Sequence, residues 1–582
     1  MVKKKQLIST CLSAKIKKDS DCFFLGSWCF EKITDVKKNS FLKDRWFKNK
    51  IIKKDYKYLQ NLFKRVTNTI PEYLNNYHNL KYPNHFWKYL LWIWFSHYLC
   101  SMYYRWKTVE AATKKNKILE YHLNIPEQKI CFNKTYEYIY FLSSSDFYNE
   151  YLFSKIIKKF KKKINLIKTK KKFLVNKKNY YRNYRNSFKY SLARKITNFI
   201  SNLFFRKNTF LINGGFSFKN IILLYLKNFT LPFFIDEQFE KPFKMSVSTL
   251  SKDQENKRKK THFNFLPKNT FEKFLTENLI FDIPFFFIEK FKENISNLKK
   301  IEINPKLIIS GKGHMDNDNY RLWILLKKFL NKTNITIIKH GGDHVDLSWD
   351  QNSEREISKK YFSWHTSENK KKFPVSKYIG LKEEREASEN LLYVGYEIFK
   401  YQFRIDRSVL NLEDLESTYN LKLMSLKLKN KIFKKLNYCE KHFFDDRNYQ
   451  EIKKIIGKDK IKKSGSFKTQ LSKAKLVICD YPQTTFLESV LSGPTILITN
   501  YKKNWPPQDN MKKIYESLKN MGILFENPND AVSFINKEWE NIDNWWQSEK
   551  IQKERSNLLK SFNINTSQSG LNKWSTYISQ NI

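Results

Sequence analysis

The stretch KLVICDYPQTTFLESVLSGPTILIT, residues 475–499, constrains the fold more than any other part of the chain. Lys475 to Asp480 is a short apolar, β-branched run that predicts a strand, and Thr495 to Thr499 predicts another. Between them Thr484 to Ser492 places Phe486, Leu487, Val490 and Leu491 on one helical face, and Gly493-Pro494 stops the helix. This is one βαβ unit of a parallel sheet. In such units an anionic ligand sits beyond the carboxyl ends of the strands, against the helix N-terminus, where unpaired N–H groups and the dipole face it. Thr484 and Thr485 are therefore candidates for holding a phosphate, with Asp480 at the strand end and Glu488 one turn into the helix. Thr485-x-x-Glu488 also reads as a capping box, which would explain both residues without a ligand.

A second unit of the same kind lies upstream. PKLIISGKGHMD (305–316) predicts a strand ending in a Gly-rich turn with His314 and Asp316, followed by a helix over 318–331 and the strand of TNITIIKHGG. Its exit delivers His340, Gly341 and Gly342, and adjacent glycines let the backbone approach a ligand closely and expose N–H groups to an anion. Asp343, His344, Glu354 and Glu356 follow. Of these side chains, His340, Asp343, His344 and Glu354 are the candidates for acid–base work near neutral pH.

At 582 residues the chain is too long for one core and suits two or three domains. The net charge of +51 favours polyanionic partners, although abundant Lys with only 14 Gly and 14 Pro is also what compositional bias alone produces. Residues 155–190 interleave Lys and Arg with Tyr and Phe, and Ile156, Ile157, Phe160, Ile164 and Ile167 recur at helical spacing. That text reads first as an amphipathic helix with a solvated basic face, second as a surface for an anionic membrane, and only third as a nucleic-acid surface, since no nucleic-acid motif accompanies it. The seven cysteines form no CxxC pair, which argues against a disulfide scaffold or a zinc site and fits a reducing cytoplasm. Residues 86–106 approach the length of a membrane span, but Lys88, His97 and the mid-segment tryptophans predict a buried helix. Residues 251–263 read as a polar, flexible loop, and Asn76 and His78 as either a binding loop or turn chemistry between two helices.

Eight motifs keep their order along the chain: LGSWC (25–29), KDRW (43–46), LNNYH (74–78), NHFWKYLLWIW (84–94), KHGGDHV (339–345), EREISKKY (354–361), FSWH (362–365) and TTFLES (484–489). Together they resemble a family of transferases encoded among bacterial surface-carbohydrate genes of the O-antigen and capsule type. The TTFLES unit is similar to the donor-nucleotide element of GT-B glycosyltransferases. The chain departs from the family pattern at Lys339, where Gln is usual, at Asp343-His344-Val345, which replaces a Gly-Tyr-Gly type run, and at Trp364-His365.

The resemblance implies an α/β fold of two Rossmann-like domains facing a cleft. Residues 1–380 would form the acceptor side with a large helical insertion, 381–535 the nucleotide-sugar domain, and 536–582 a helical tail packing back. It implies a cytoplasmic glycosyltransferase, peripheral at the inner face of the plasma membrane, that moves a sugar from a nucleotide-activated donor to a glycan or lipid-linked acceptor, with no cofactor and no metal. Thr484 and Thr485 would hold donor phosphate and Glu488 the ribose. His340, Gly341 and Gly342 would line the cleft, with Asp343, His344 or Glu354 as base. A polyol-phosphate transferase of the same fold and a non-catalytic binder of membrane or nucleic acid are the alternatives.

Overall fold

The computed structural model describes residues 5–14, 21–31, 41–47, 49–115, 119–123, 125–168, 180–182, 196–198, 210–235, 239, 243–341, 350–365, 373–381, 385–386, 388–396, 399–405, 416–439, 446–462, 467–504 and 509–582. Three parallel sheets organise these residues. The first has the spatial order Cys22–Phe24, Lys5–Ile8, Leu119–Leu123, Ile164–Lys168. The second runs Lys360–Phe362, Asn334–Ile338, Leu307–Ser310, Phe210–Asn213. The third runs Ile461–Lys462, Leu436–Cys439, Asn390–Val394, Ala474–Cys479, Thr495–Ile498, Leu524–Phe525. The first 380 positions thus supply two four-stranded sheets, where the expectation was one Rossmann-like core.

Numbered by sequence, the third sheet has the strand order 3-2-1-4-5-6 of a doubly wound fold. The order of its parallel strands reverses between Asn390–Val394 and Ala474–Cys479, the switch point at which doubly wound folds have their crevice. The central Ala474–Cys479 strand is buried at every position, because helices cover both of its faces. Leu476 and Ile478 face one core and Val477 and Cys479 the other, as a period of two requires.

Two long helices pack against each other in the largest core. Asn49–His78 buries Ile52, Leu59, Leu62, Phe63, Val66, Ile70, Tyr73 and Leu74 at three- and four-residue spacing against Asn84–Lys115. The Asn84–Lys115 helix is apolar all round and buried within one large core, as the interrupting Lys88 and His97 suggested. Among the described residues no helix is long and apolar enough to cross a membrane.

Several of the ordered motifs turn out to be joints of this helical layer. Asp55, fully buried, accepts from Arg45 Nε (2.6 Å) and Nη2 (2.8 Å), from Trp46 Nε1 (3.0 Å) and from Tyr103 Oη (3.0 Å), so KDRW clamps one helix to the next. In LNNYH, Asn75 Oδ1 accepts from Trp87 Nε1 (2.8 Å) and Tyr82 N (3.1 Å), while His78 Nε2 lies 3.0 Å from the Phe287 carbonyl. LNNYH is thus the last turn of the Asn49–His78 helix, not a segment between two helices, and its contacts fix the chain that leaves it. Burial lowers the His78 pKa to about 4, so the neutral ring donates to the carbonyl.

Two local readings are corrected. Residues 252–260 are helical, not a flexible loop: Ser251 and Gln254 form a capping box, and the guanidinium of Arg258 is buried against Glu289 and the carbonyls of Ile280, Phe281 and Ile283. The basic amphipathic helix expected from residue 155 ends at Ile157, and Ile164 belongs instead to the fourth strand of the first sheet. The helical spacing arose from residues of two different elements. Residues 169–179 and 183–190 of that basic segment lie outside the described residues.

Candidate functional site

The predicted helix appears at Thr484–Ser492, flanked by Ala474–Cys479 and Thr495–Ile498. Its first residue therefore lies at the carboxyl end of the strand that borders the third sheet's crevice. The N-cap is Gln483, with no side-chain cap, and the first bond is Leu487 N to Gln483 O at 3.2 Å. The amides of Thr484, Thr485 and Phe486 precede it, as at any helix N-terminus.

The capping box does not form. Thr485 Oγ1 accepts from the buried Tyr481 hydroxyl at 2.6 Å, and the Glu488 carboxylate is ion-paired with Lys377. Asp480, fully buried, turns inward and accepts from Tyr393 Oη at 3.3 Å, which makes it a support of the strand end. At the other end of the helix, Arg555 donates to the carbonyls of Val490 (Nε, 2.9 Å) and Leu491 (Nη2, 2.7 Å), a cation where the dipole is negative.

The second sheet brings its own carboxyl edge to this point. Gly341 follows Asn334–Ile338 with φ +90°, and a Cβ placed on it would lie 3.0 Å from Thr484 Oγ1. The two stretches singled out from sequence, 143 positions apart, thus meet at the third sheet's crevice. His340 beside it is exposed. Gly342, Asp343 and His344 lie outside the described residues.

Glu354 is placed differently from expectation. It is 1% exposed, and its Oε1 sits 3.0 Å from His314 Nε2, whose Nδ1 lies 2.9 Å from Ser310 Oγ. Both nitrogens of this buried ring are occupied. The chain Ser310–His314–Glu354 therefore ties the end of one strand to the Asp350–Ile357 helix, which re-enters after the His340 loop. Glu354 is thus buried between these two elements.

One feature of the rim escaped sequence reading. The segment INGGF, 212–216, gives Gly214 and Gly215 positive φ (74° and 82°), and a Cβ on Gly311 would meet Gly215 N at 2.7 Å. Adjacent glycines after an apolar run were the available signal. Ser376 Oγ donates to the Gly215 carbonyl, which anchors the Ser376–Tyr378 turn to this rim. In FSWH, Trp364 Nε1 donates to Lys339 O (2.9 Å) and His365 packs on Phe562 with ring centroids 4.6 Å apart, so that motif seats the C-terminal tail.

Other openings fit less well. The first sheet also reverses direction, between Lys5–Ile8 and Leu119–Leu123, but Glu150 fills that position by accepting from Ser9 Oγ (2.7 Å), Thr10 Oγ1 (2.6 Å) and Tyr121 Oη (2.6 Å). A cleft of about 750 Å³ opens beside Leu491, Arg555 and Gly570, at the far end of the Thr484–Ser492 helix. Among the described residues no group of three His, Cys, Asp or Glu is placed to hold a metal ion.

The sequence profile of the LIC12162 family transferases matches residues 5–578. The chain belongs to this family. No curated protein matches it. Solved structures that share part of its course include S. aureus TarM in complex with fondaparinux, alpha-GlcNAc-glycerol and UDP, at 13% identity and TM-score 0.31 over 49% of this chain and 58% of that one. S. aureus MnaA with UDP aligns at 12% identity and TM-score 0.32, over 64% of this chain and 96% of that chain. CalG4, the calicheamicin glycosyltransferase, aligns at 10% identity and TM-score 0.28, over 55% of this chain and 83% of that one.

Proposed function

We propose that this LIC12162 family transferase is a glycosyltransferase that takes a sugar from a nucleotide-activated donor. The observation that carries the reading is the close approach of Gly341 to Thr484, such that a Cβ on Gly341 would lie 3.0 Å from Thr484 Oγ1, at the switch point of the third sheet. It sets two carboxyl-edge loops and one helix N-terminus around a single point. Such a point suits the leaving phosphate of a nucleotide donor, because helix amides and the dipole stabilise charge as it develops there. His340, exposed beside Gly341, would be a candidate for proton transfer, as would Asp343 and His344, which follow it in sequence. Glu488 would take ribose hydroxyls. The reading assigns no cofactor and no metal ligand.

In this reading residues 1–380 carry the acceptor side with its helical insertion, 381–535 the donor side facing it across a cleft, and 536–582 a tail bridging both. The acceptor would be a glycan or lipid-linked glycan of surface-polysaccharide assembly, met at the inner face of the plasma membrane. The test is release of nucleotide from donor sugars of CMP, UDP, GDP and dTDP by the purified protein. Turnover of one donor, lost in Thr485→Ala/Glu488→Ala, is expected. Turnover that survives in that variant would move the donor site elsewhere.

A further inference from the structure

Glu488 is not free in the structure: its carboxylate is held by Lys377. Lys377 lies on the Ser376–Tyr378 turn, which comes from before the third sheet. That turn is fixed by its neighbours. Ser376 donates to Gly215 O, Val375 N to Asn563 O (3.0 Å), Gly380 N to Thr566 O (2.8 Å), and Asn220 Nδ2 to Ile379 O (2.7 Å). The second sheet and the tail therefore hold the turn against the Thr484–Ser492 helix.

Two side chains of this turn have unspent chemistry. The Lys377 side chain is 45% exposed and that of Glu488 18%, so the pair is within reach of solvent and costs little to exchange. Tyr378 is 1% exposed, with its ring against Trp364 at 5.5 Å, and its Oη has no hydrogen-bond partner among the described residues. A buried hydroxyl without a partner is a costly group to keep. Burial and the nearby charge of Glu488 raise its pKa well above the ordinary range, so it is a hydroxyl donor at neutral pH. Glu488 stands one turn from Thr484, about 6 Å along the helix, a span that a lysine side chain covers.

We propose that the Ser376–Tyr378 turn is the third wall of the donor site and works by exchange: Lys377 leaves Glu488 for the donor's phosphate, and Tyr378 Oη takes over as the donor that orients the Glu488 carboxylate toward the sugar hydroxyls. This rests on the nucleotide-donor reading above. No bond is made or broken in the exchange, and the ion pair is replaced by a lysine–phosphate pair and a hydroxyl–carboxylate hydrogen bond. The turn is thereby a sensor of phosphate, distinct from the helix amides, and it links occupancy of the donor site to the second sheet and the tail.

The experiment is isothermal titration of the full chain with CMP, UDP, GDP and dTDP and, by competition, with the matching nucleosides. The variants are Lys377→Ala, Lys377→Arg and Tyr378→Phe. Lys377→Ala is expected to weaken the bound nucleotide about tenfold while leaving its nucleoside within about twofold, and Lys377→Arg to restore most of the loss. Tyr378→Phe is expected to weaken nucleotide and nucleoside alike, about fivefold, by releasing Glu488. Equal losses for nucleotide and nucleoside in Lys377→Ala, or no loss for either, would overturn the exchange while leaving nucleotide binding in place. Binding of none of the four nucleotides by the wild-type protein would remove the donor reading itself, and the exchange with it. Lys377 is exposed, so its variants report binding and not folding.

Discussion

Gly341→Ala tests the meeting of the two sheets in a single atom. At φ +90° an L residue is strained, which costs roughly 1–2 kcal/mol. The added methyl would stand 3.0 Å from Thr484 Oγ1, tighter than ordinary contact, so Thr484 must turn off its rotamer at a further cost of about 0.5–1.5 kcal/mol. The expected loss of stability is about 2 kcal/mol, read as a shift of the urea midpoint at constant slope. Part of it belongs to the contact and part to the backbone. In a Thr484→Ala background the contact vanishes and the strain remains, so Gly341→Ala should cost about 1 kcal/mol less there. Nucleotide affinity of the single variant should fall about tenfold, because the displaced side chain lies where phosphate is expected. Wild-type stability and affinity in Gly341→Ala would refute the reasoning. A loss identical in both backgrounds would refute the contact alone.

Three further outcomes follow from buried groups. His78 has its pKa lowered to about 4, by burial first, so it is neutral in the folded protein and charges in the unfolded chain below about pH 6.5. Stability from this group is complete above that pH and is lost as pH falls toward 4, by about 3 kcal/mol at most, and His78→Gln should flatten that part of the denaturation profile. Asp55→Ala leaves Arg45, Trp46 and Tyr103 without their acceptor and should cost about 3–5 kcal/mol; a change under about 1 kcal/mol in urea would show the clamp to be dispensable. Glu354→Gln keeps an acceptor for His314 and should leave the pH profile of nucleotide release unshifted, whereas a general base at that position would abolish the profile's acidic limb.

The βαβ unit at 475–499 was fully legible because every local signal agreed: β-branched runs for strands, helical spacing between them, and Gly-Pro at the stop. Its neighbours were less so. The basic stretch from residue 155 mimicked one helical period because the end of a helix and a strand placed Ile157 and Ile164 seven positions apart. The polar 252–260 helix has almost no apolar stripe, and its stability comes from a cap and from one buried arginine that composition does not reveal. At the site, sequence located Gly341 and Thr484 but not that they touch, since that contact depends on how separate sheets pack. Nor does sequence tell that the Glu354 carboxylate is buried on His314 and that of Asp480 on Tyr393, because a carboxylate near a strand end has the same spelling whatever it faces. Lys377 and Tyr378 carried no motif at all, and only the fold brings Lys377 to Glu488.

The central claim is that a nucleotide sits where Gly341 meets the Thr484–Ser492 helix. Amide hydrogen exchange with and without saturating nucleotide, using whichever of CMP, UDP, GDP and dTDP binds, tests it most directly. The account predicts slower exchange confined to residues 339–341, 376–380 and 484–488. Protection centred instead on the cleft beside Leu491, Arg555 and Gly570, or on the first sheet around Glu150, would contradict it.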